Sequence, residues 1–164
     1  MKASKNCIDV IKHYESFSAN PYLCPANVAT IGYGTTLYPD GRKVKLSDQA
    51  ITPDEGVEYL IHDLIEHENQ VTANLKVPVS QDLFDALVSF DYNEGDGKLR
   101  SSTLLKLINE KIVQTNTDWK KILSREFYKW IFGGGKKLPG LVARRSTEAL
   151  LATDGIVKVF NSQQ

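Results

Sequence analysis

Helical periodicity stops abruptly in this chain and then returns, and that interruption constrains the fold more than any other feature. Up to Glu15, the apolar residues Ile8, Ile11 and Tyr14 recur at helical spacing, with Cys7 beside them and Ser4 placed to cap the start. The spacing predicts a helix over 4–15. From Phe17 to about Leu46 the pattern is gone. Pro, Gly and Asn become frequent, β-prone pieces occur at 29–33 and 43–46, and Pro39-Asp-Gly-Arg42 marks a turn. A small antiparallel sheet or hairpin pair is expected there. Thr52-Pro-Asp-Glu55 then starts a second helix: Thr52 caps it, Pro53 suits its first position, and Glu55 completes a capping box. Val57, Leu60, Ile61, Leu64, Val71 and Leu75 give it one apolar face to about Asn74. At 1.5 Å per residue it would be roughly 35 Å long, enough to link two lobes.

The remainder is helical. Leu83, Phe84, Ala86, Leu87, Val88 and Phe90 surround their helix on nearly all sides, which predicts a buried central helix. Further helices are expected at 102–110, 118–129 and 139–153, with Gly133-Gly-Gly135 breaking the chain before the last. The fold class is α+β. One domain over 1–164 is expected, with a small β-containing lobe over 16–51, a connecting helix over 52–75 and a helical lobe over 76–164 on which the first helix packs.

Composition narrows the setting. No apolar run approaches the ~20 residues of a bilayer span, so stable membrane insertion is not expected. Residues 1–10 lack the apolar stretch of a signal peptide. Two cysteines are too few for a disulfide scaffold. Cys7 lies two helical turns before Glu15, so a Cys7–Cys24 bridge is not expected. Net charge is zero but unevenly spread: residues 47–96 carry twelve acids against Lys76 alone, and 120–145 carry eight bases against Glu126 alone. The basic stretch, which ends in Arg144 and Arg145, could attract an anionic polymer; the plainer reading is two solvated faces that neutralise each other. No nucleic-acid motif accompanies it, and no nucleic-acid partner is expected.

The chemistry concentrates around the end of the first helix. Eight residues separate Glu15 from Cys24, five separate Cys24 from Thr30, and Ile31-Gly-Tyr-Gly34 follows at once. Glu15 continues the buried stripe of its helix, and a partly desolvated carboxyl favours its protonated form. An acid at a helix end, with an extended segment folding back over it, suits glycoside hydrolysis. That reaction needs a proton on the leaving oxygen and a nucleophile or activated water at the anomeric carbon. Cys24 and Thr30 would face Glu15 across the cleft.

This constellation resembles the catalytic signature of the phage-type lysozymes, the endolysins of glycoside hydrolase family 24. Further segments are similar in order: Ile51-Thr-Pro-Asp-Glu-Gly56, Ala86-Leu-Val-Ser-Phe-Asp-Tyr-Asn-Glu-Gly95, Arg100-Ser-Ser-Thr-Leu-Leu105, Trp130, and Gly140-Leu-Val-Ala-Arg-Arg-Ser-Thr-Glu148. The resemblance implies a lysozyme-like fold and a muramidase that cuts the β-1,4 bond between N-acetylmuramic acid and N-acetylglucosamine in peptidoglycan, without metal or organic cofactor. It implies Glu15 as general acid, Cys24 and Thr30 positioning the attacking water, and Tyr92, Asn93, Thr103 and Ser124 lining the saccharide cleft. It further implies a monomer made in the host cytoplasm, which reaches the wall through a holin or another delivery system.

Three departures accompany the match. Most members carry Asp where this chain has Cys24, the glycine turn often continues with His where this chain has Thr35, and the net charge is low for an enzyme meeting an anionic wall. An ordinary thiol is mainly neutral at pH 7, and an ionised Glu15 nearby would disfavour the thiolate further. Inversion through an activated water is the preferred mechanism; retention through a Cys24 glycosyl-thioether is the variant. Two other classes stay open: a non-catalytic wall-binding or tail module, and a basic-lobed nucleic-acid binder. His62, Glu66 and His67 read as a solvated helix face rather than a metal site. Arg144 and Glu148 can pair across one turn as a weak exposed pair.

Overall fold

A computed structural model of the chain describes residues 1–161. Helix α1 spans Lys5–Glu15, and the Ser4 hydroxyl caps it by accepting the Asn6 N–H. Ser4 is itself anchored, because its N–H and its hydroxyl both donate to the buried Asp85 carboxylate. The helix ends in one residue: Ser16 has φ +60° and ψ 158°, a region that glycine normally occupies and that costs a side-chain-bearing residue about 1–3 kcal/mol. This corner turns the chain straight from Glu15 into the sheet.

Strands β1 (Ser18–Leu23) and β2 (Ala29–Gly32) pair antiparallel, with Tyr22 opposite Thr30 and an irregularity between Ser18 and Tyr22. The second β-prone piece, 43–46, forms no strand. It contributes one isolated bridge, Leu37 to Lys43. A carboxylate takes the place of a ladder here: Asp48 accepts the Lys45 N–H, the Tyr38 hydroxyl and the Arg42 guanidinium.

Helix α2 runs Pro53–Asn74 with the reciprocal capping box formed between Thr52 and Glu55. Gly56 in its first turn lets the β segment come close. A Cβ there would lie 2.8 Å from the Phe17 ring, and one at Gly32 would lie 3.5 Å from the Gly56 Cα. Helix α3 (Gln81–Glu94) is the central helix, and every residue from Leu83 to Asp91 is buried. Around it lie α4 (Asp96–Ser101), α5 (Thr103–Asn109), α6 (Ile112–Thr115), α7 (Trp119–Phe127) and α8 (Pro139–Asp154). A hairpin of β3 (Phe132–Gly133) and β4 (Lys136–Lys137) precedes α8, its turn made by Gly134 and Gly135 at positive φ. Helices α4 and α6 and this hairpin fall outside the sequence reading, because elements of two to six residues are too short to show a period.

The mixed helical and sheet content makes this an α+β fold. Helix α3 packs against α8, α2 and α1 in a main core built around Phe84, Leu87, Phe90 and Phe127. A second, separate core joins Ile31, Tyr38 and Val44 to Ala29, Ile51 and Tyr59 in the β segment. The charge pattern also resolves differently from two solvated faces. Arg144 and Arg145 turn inward on α8 and are 3% and 0% exposed.

Candidate active site

The end of α1, the loop after β2, the middle of α2 and the end of α3 converge on a cavity of about 390 Å³. Glu15, Gly34, Thr36, Leu37, Asp63, Glu66, His67, Tyr92 and Asn93 line it. Glu15 is the last residue of α1, so its side chain leaves the helix just where Ser16 turns the backbone away.

Glu15 does not end on a purely apolar surface, as its place in the stripe suggests. Arg144 Nη1 donates to its Oε1 at 2.5 Å. The same guanidinium donates through Nε to Glu148 Oε1 at 3.1 Å and through Nη2 to the Ser89 carbonyl at 3.1 Å. The Ser89 hydroxyl adds a 2.7 Å bond to that Glu148 oxygen. Burial alone would lower the Arg144 pKa, but Glu148 and Glu15 outweigh it and raise the value, so the guanidinium is a fixed cation. The Arg144–Glu148 pair is therefore no weak surface contact: the two side chains are 4% and 0% exposed. Glu15 Oε1 is held by Arg144, while Oε2 has no protein partner among the described residues and belongs to a side chain 26% exposed.

Arg145 completes the network. Its Nη2 donates to Asn93 Oδ1 at 2.7 Å and to Glu148 Oε1 at 3.2 Å. Its Nε lies 2.9 Å from Glu148 Oε2 without hydrogen-bond alignment, so that contact is Coulombic. Asn93 is thereby fixed with its carbonyl toward the protein and its amide as the group left to offer. Tyr92 donates its hydroxyl to the Tyr33 carbonyl at 2.9 Å, and burial, then the negative charge of Glu15, pushes its pKa up. A Cβ at Gly34, where φ is +113°, would come 2.9 Å from that hydroxyl, so only glycine fits.

Cys24 and Thr30 come together in the β segment. Thr30 is buried, and its hydroxyl donates to the Val28 carbonyl at 3.0 Å. A tight turn follows β1, with Cys24 N–H on Val28 O and Asn27 N–H on Cys24 O. The backbone N–H groups of Val28 and Ala26 face the thiol and pull its pKa below the ordinary value, with the Thr30 hydroxyl helping. The direction is opposite to the one expected from a nearby Glu15. Burial, then the negative charges of Glu15 and Cys24, raise the Tyr22 hydroxyl pKa. Cys7, by contrast, is fully buried and its thiol is pushed well up by burial. Iodoacetamide at neutral pH should therefore alkylate Cys24 in the folded protein and spare Cys7, read by peptide mass mapping; equal labelling would refute this environment.

Of the other residues the sequence singled out, Thr103 is the exposed first residue of α5 and Ser124 a half-buried residue of α7. Neither lines the Glu15 cavity, and the same holds for Cys24 and Thr30. Sequence reasoning missed the wall that α2 contributes. His67 is no solvated residue: its Nδ1 lies 2.7 Å from Oδ2 of the fully buried Asp91, and its ring packs at a tilt against Tyr92, 5.0 Å between centroids. The signal was Asp91 itself, a carboxylate amid an apolar helix that had to have a partner. Asp63, one turn earlier, accepts the Thr35 hydroxyl at 2.6 Å, and burial raises its pKa.

The chain is similar to known proteins in sequence and in fold. The chain is 36% identical over 160 residues to the endolysin of Bacillus phage B103, covering 94% of this chain and 55% of that protein, so it spans about half the relative's length. It is 32% identical to the endolysin of Acyrthosiphon pisum secondary endosymbiont phage 1, covering 92% of this chain and 97% of the relative. Among solved structures, the endolysin of Escherichia coli O157:H7 phage FAHEc1 superposes with a TM-score of 0.82 at 33% identity, covering 96% of this chain and 97% of that one. The fold is thus lysozyme-like. The model of the family described as phage lysozyme matches residues 12–148. On these grounds the chain belongs to the phage lysozyme family.

Proposed function

We propose that the chain is an endolysin-type muramidase that hydrolyses the β-1,4 bond between N-acetylmuramic acid and N-acetylglucosamine in peptidoglycan. The observation that carries this reading is the state of Glu15, with one oxygen fixed by Arg144 and the other open to a cleft that Tyr92 and Asn93 line. Arg144 holds the carboxyl in place as a positioning residue, and Oε2 gives its proton to the leaving glycosidic oxygen as the C1–O bond breaks. A water held by Cys24 and Thr30 attacks C1 from the opposite face and gives its proton to Cys24 Sγ, acting as a thiolate base, so the product has the inverted anomer. No metal or organic cofactor enters this scheme. The glycan continues beyond the cavity toward Thr103 and Ser124 on the helical lobe. The chain works as one domain, with a β lobe over 16–51 and a helical lobe over 76–164 joined through α2.

In this reading the monomer is made in the host cytoplasm and meets the wall once a holin or other delivery system opens the membrane. No helix among the described residues is long and apolar enough to cross a bilayer.

The lowered Cys24 pKa favours a second reading, in which the thiolate attacks C1 and a glycosyl-thioether forms before water releases it with retained configuration. Proton NMR of the first product from purified peptidoglycan separates the two. The α-anomer is expected. The β-anomer, with a mass adduct on Cys24 from a slow fluorinated substrate, would install the thioether. Binding without any release of reducing ends would replace both with a non-catalytic wall module.

A further inference from the structure

We propose that His67, positioned by Asp91, is a substrate-binding residue that seats an N-acetylglucosamine residue of the strand against α2 and so sets the strand's register over Glu15. This rests on the muramidase reading and extends it.

The argument begins at Asp91. It is fully buried in α3, and its Oδ1 has no hydrogen-bond partner among the described residues. Its Oδ2 meets His67 Nδ1 at 2.7 Å. A buried carboxylate with one partner fixes that partner, because losing the contact would leave the charge unpaired. Nδ1 therefore carries its proton toward Asp91, and the contact leaves Nε2 as the ring nitrogen not engaged by the protein. The Tyr92 ring, 5.0 Å away, prevents the imidazole from swinging freely. His67 lines the same cavity as Glu15, and its Nε2 has no protein partner among the described residues. A histidine oriented by a buried carboxylate, with its second nitrogen open to a cleft, is arranged to meet a ligand.

The neighbours define the ligand. Asp63 and Glu66 line the cavity beside His67, so this wall offers two carboxylates as acceptors next to the imidazole. A ligand group seated there must donate, as sugar hydroxyls and the acetamido N–H do. The two sugars of the strand differ by the lactyl ether of muramic acid, which carries a carboxylate either free or on its peptide. Two carboxylates in the wall repel that group. The residue against α2 is therefore the N-acetylglucosamine, with the muramic acid's lactyl group turned away.

Nitrogen-15 NMR of the imidazoles tests this in the wild-type protein, which has three histidines, His13, His62 and His67. Free His67 should show the Nδ1–H tautomer. Adding the tetramer of N-acetylglucosamine should move its Nε2 resonance and leave those of His13 and His62 in place. N-acetylmuramic acid should leave all three unmoved. His67→Ala should weaken tetramer binding and raise KM on peptidoglycan about tenfold, with kcat changed by less than about twofold, the mark of lost binding rather than lost chemistry. His62→Ala, on the exposed side of α2, should change neither. A His67 resonance unmoved at saturation, or an unchanged tetramer affinity in His67→Ala, would overturn the subsite. An equal shift with N-acetylmuramic acid would overturn the register. Should His67→Ala unfold, the wild-type titration still decides. Failure of wild type to release reducing ends would instead refute the muramidase reading, a separate result.

Discussion

Glu15→Gln is expected to lower release of reducing ends from peptidoglycan by about 10²–10⁴-fold, the range that a positioned general acid supplies. The substitution is nearly isosteric. The Gln carbonyl can still accept from Arg144 Nη1, so the guanidinium keeps its place between Glu148 and the Ser89 carbonyl. Only the transferable proton is lost. KM should therefore stay close to that of wild type while kcat collapses, which separates lost chemistry from lost binding. Matching thermal melts would show that the loss is not unfolding. A folded variant that keeps more than about a tenth of the wild-type kcat would remove Glu15 from the acid role.

Arg144→Met should produce the largest loss of stability. The guanidinium is 4% exposed and serves Glu15, Glu148 and the Ser89 carbonyl at once. Methionine fills much of the volume but leaves Glu148, itself 0% exposed, with Arg145 and the Ser89 hydroxyl as its remaining partners. Breaking a buried pair from one side costs about 3–5 kcal/mol. For a chain of this size that corresponds to a fall in Tm of roughly 10 °C. Arg42→Ala removes a half-exposed ion pair to Asp48 and should cost no more than about 1 kcal/mol. Calorimetry on both variants makes the comparison. Equal, small losses would mean that the network around Glu148 relaxes or hydrates when opened. Activity should also fall in Arg144→Met, because Glu15 Oε1 loses the group that aims it.

Much of this geometry can be read from the sequence, for reasons particular residues make plain. Ser4, Thr52 and Glu55 mark helix starts because capping is local chemistry, settled within four residues. The buried α3 is visible because apolar residues on all sides of a helix leave no face for water. Glu15 and Tyr92 fall in the cleft because spacing and family resemblance place them there. What stayed hidden depends on pairing across the chain. Arg144 reaches Glu15 over 129 positions, and no period connects them. His67 looks solvated beside His62 and Glu66 until α3 brings Asp91 against it. The 43–46 segment has the composition of a strand, but Asp48 binds its backbone and supplies a competing partner.

The two apolar cores have a consequence for how this protein would lose function. The β segment has only three buried apolar side chains in its own cluster, Ile31, Tyr38 and Val44, and reaches the much larger cluster around Phe84 and Phe90 through Tyr33 and Phe17, whereas the helices build that cluster. Local opening requires less free energy than global unfolding, and it begins where the fewest apolar contacts resist it. Cys24 and Thr30 sit on that weaker segment, while Glu15 and Arg144 are held by the stronger one. Warmth or mild denaturant would therefore separate Cys24 and Thr30 from Glu15 and Arg144, the residues to which the proposed function assigns the reaction, while the helices stay folded. On the muramidase reading, the working range is set by the smallest core, and inactivation should precede denaturation.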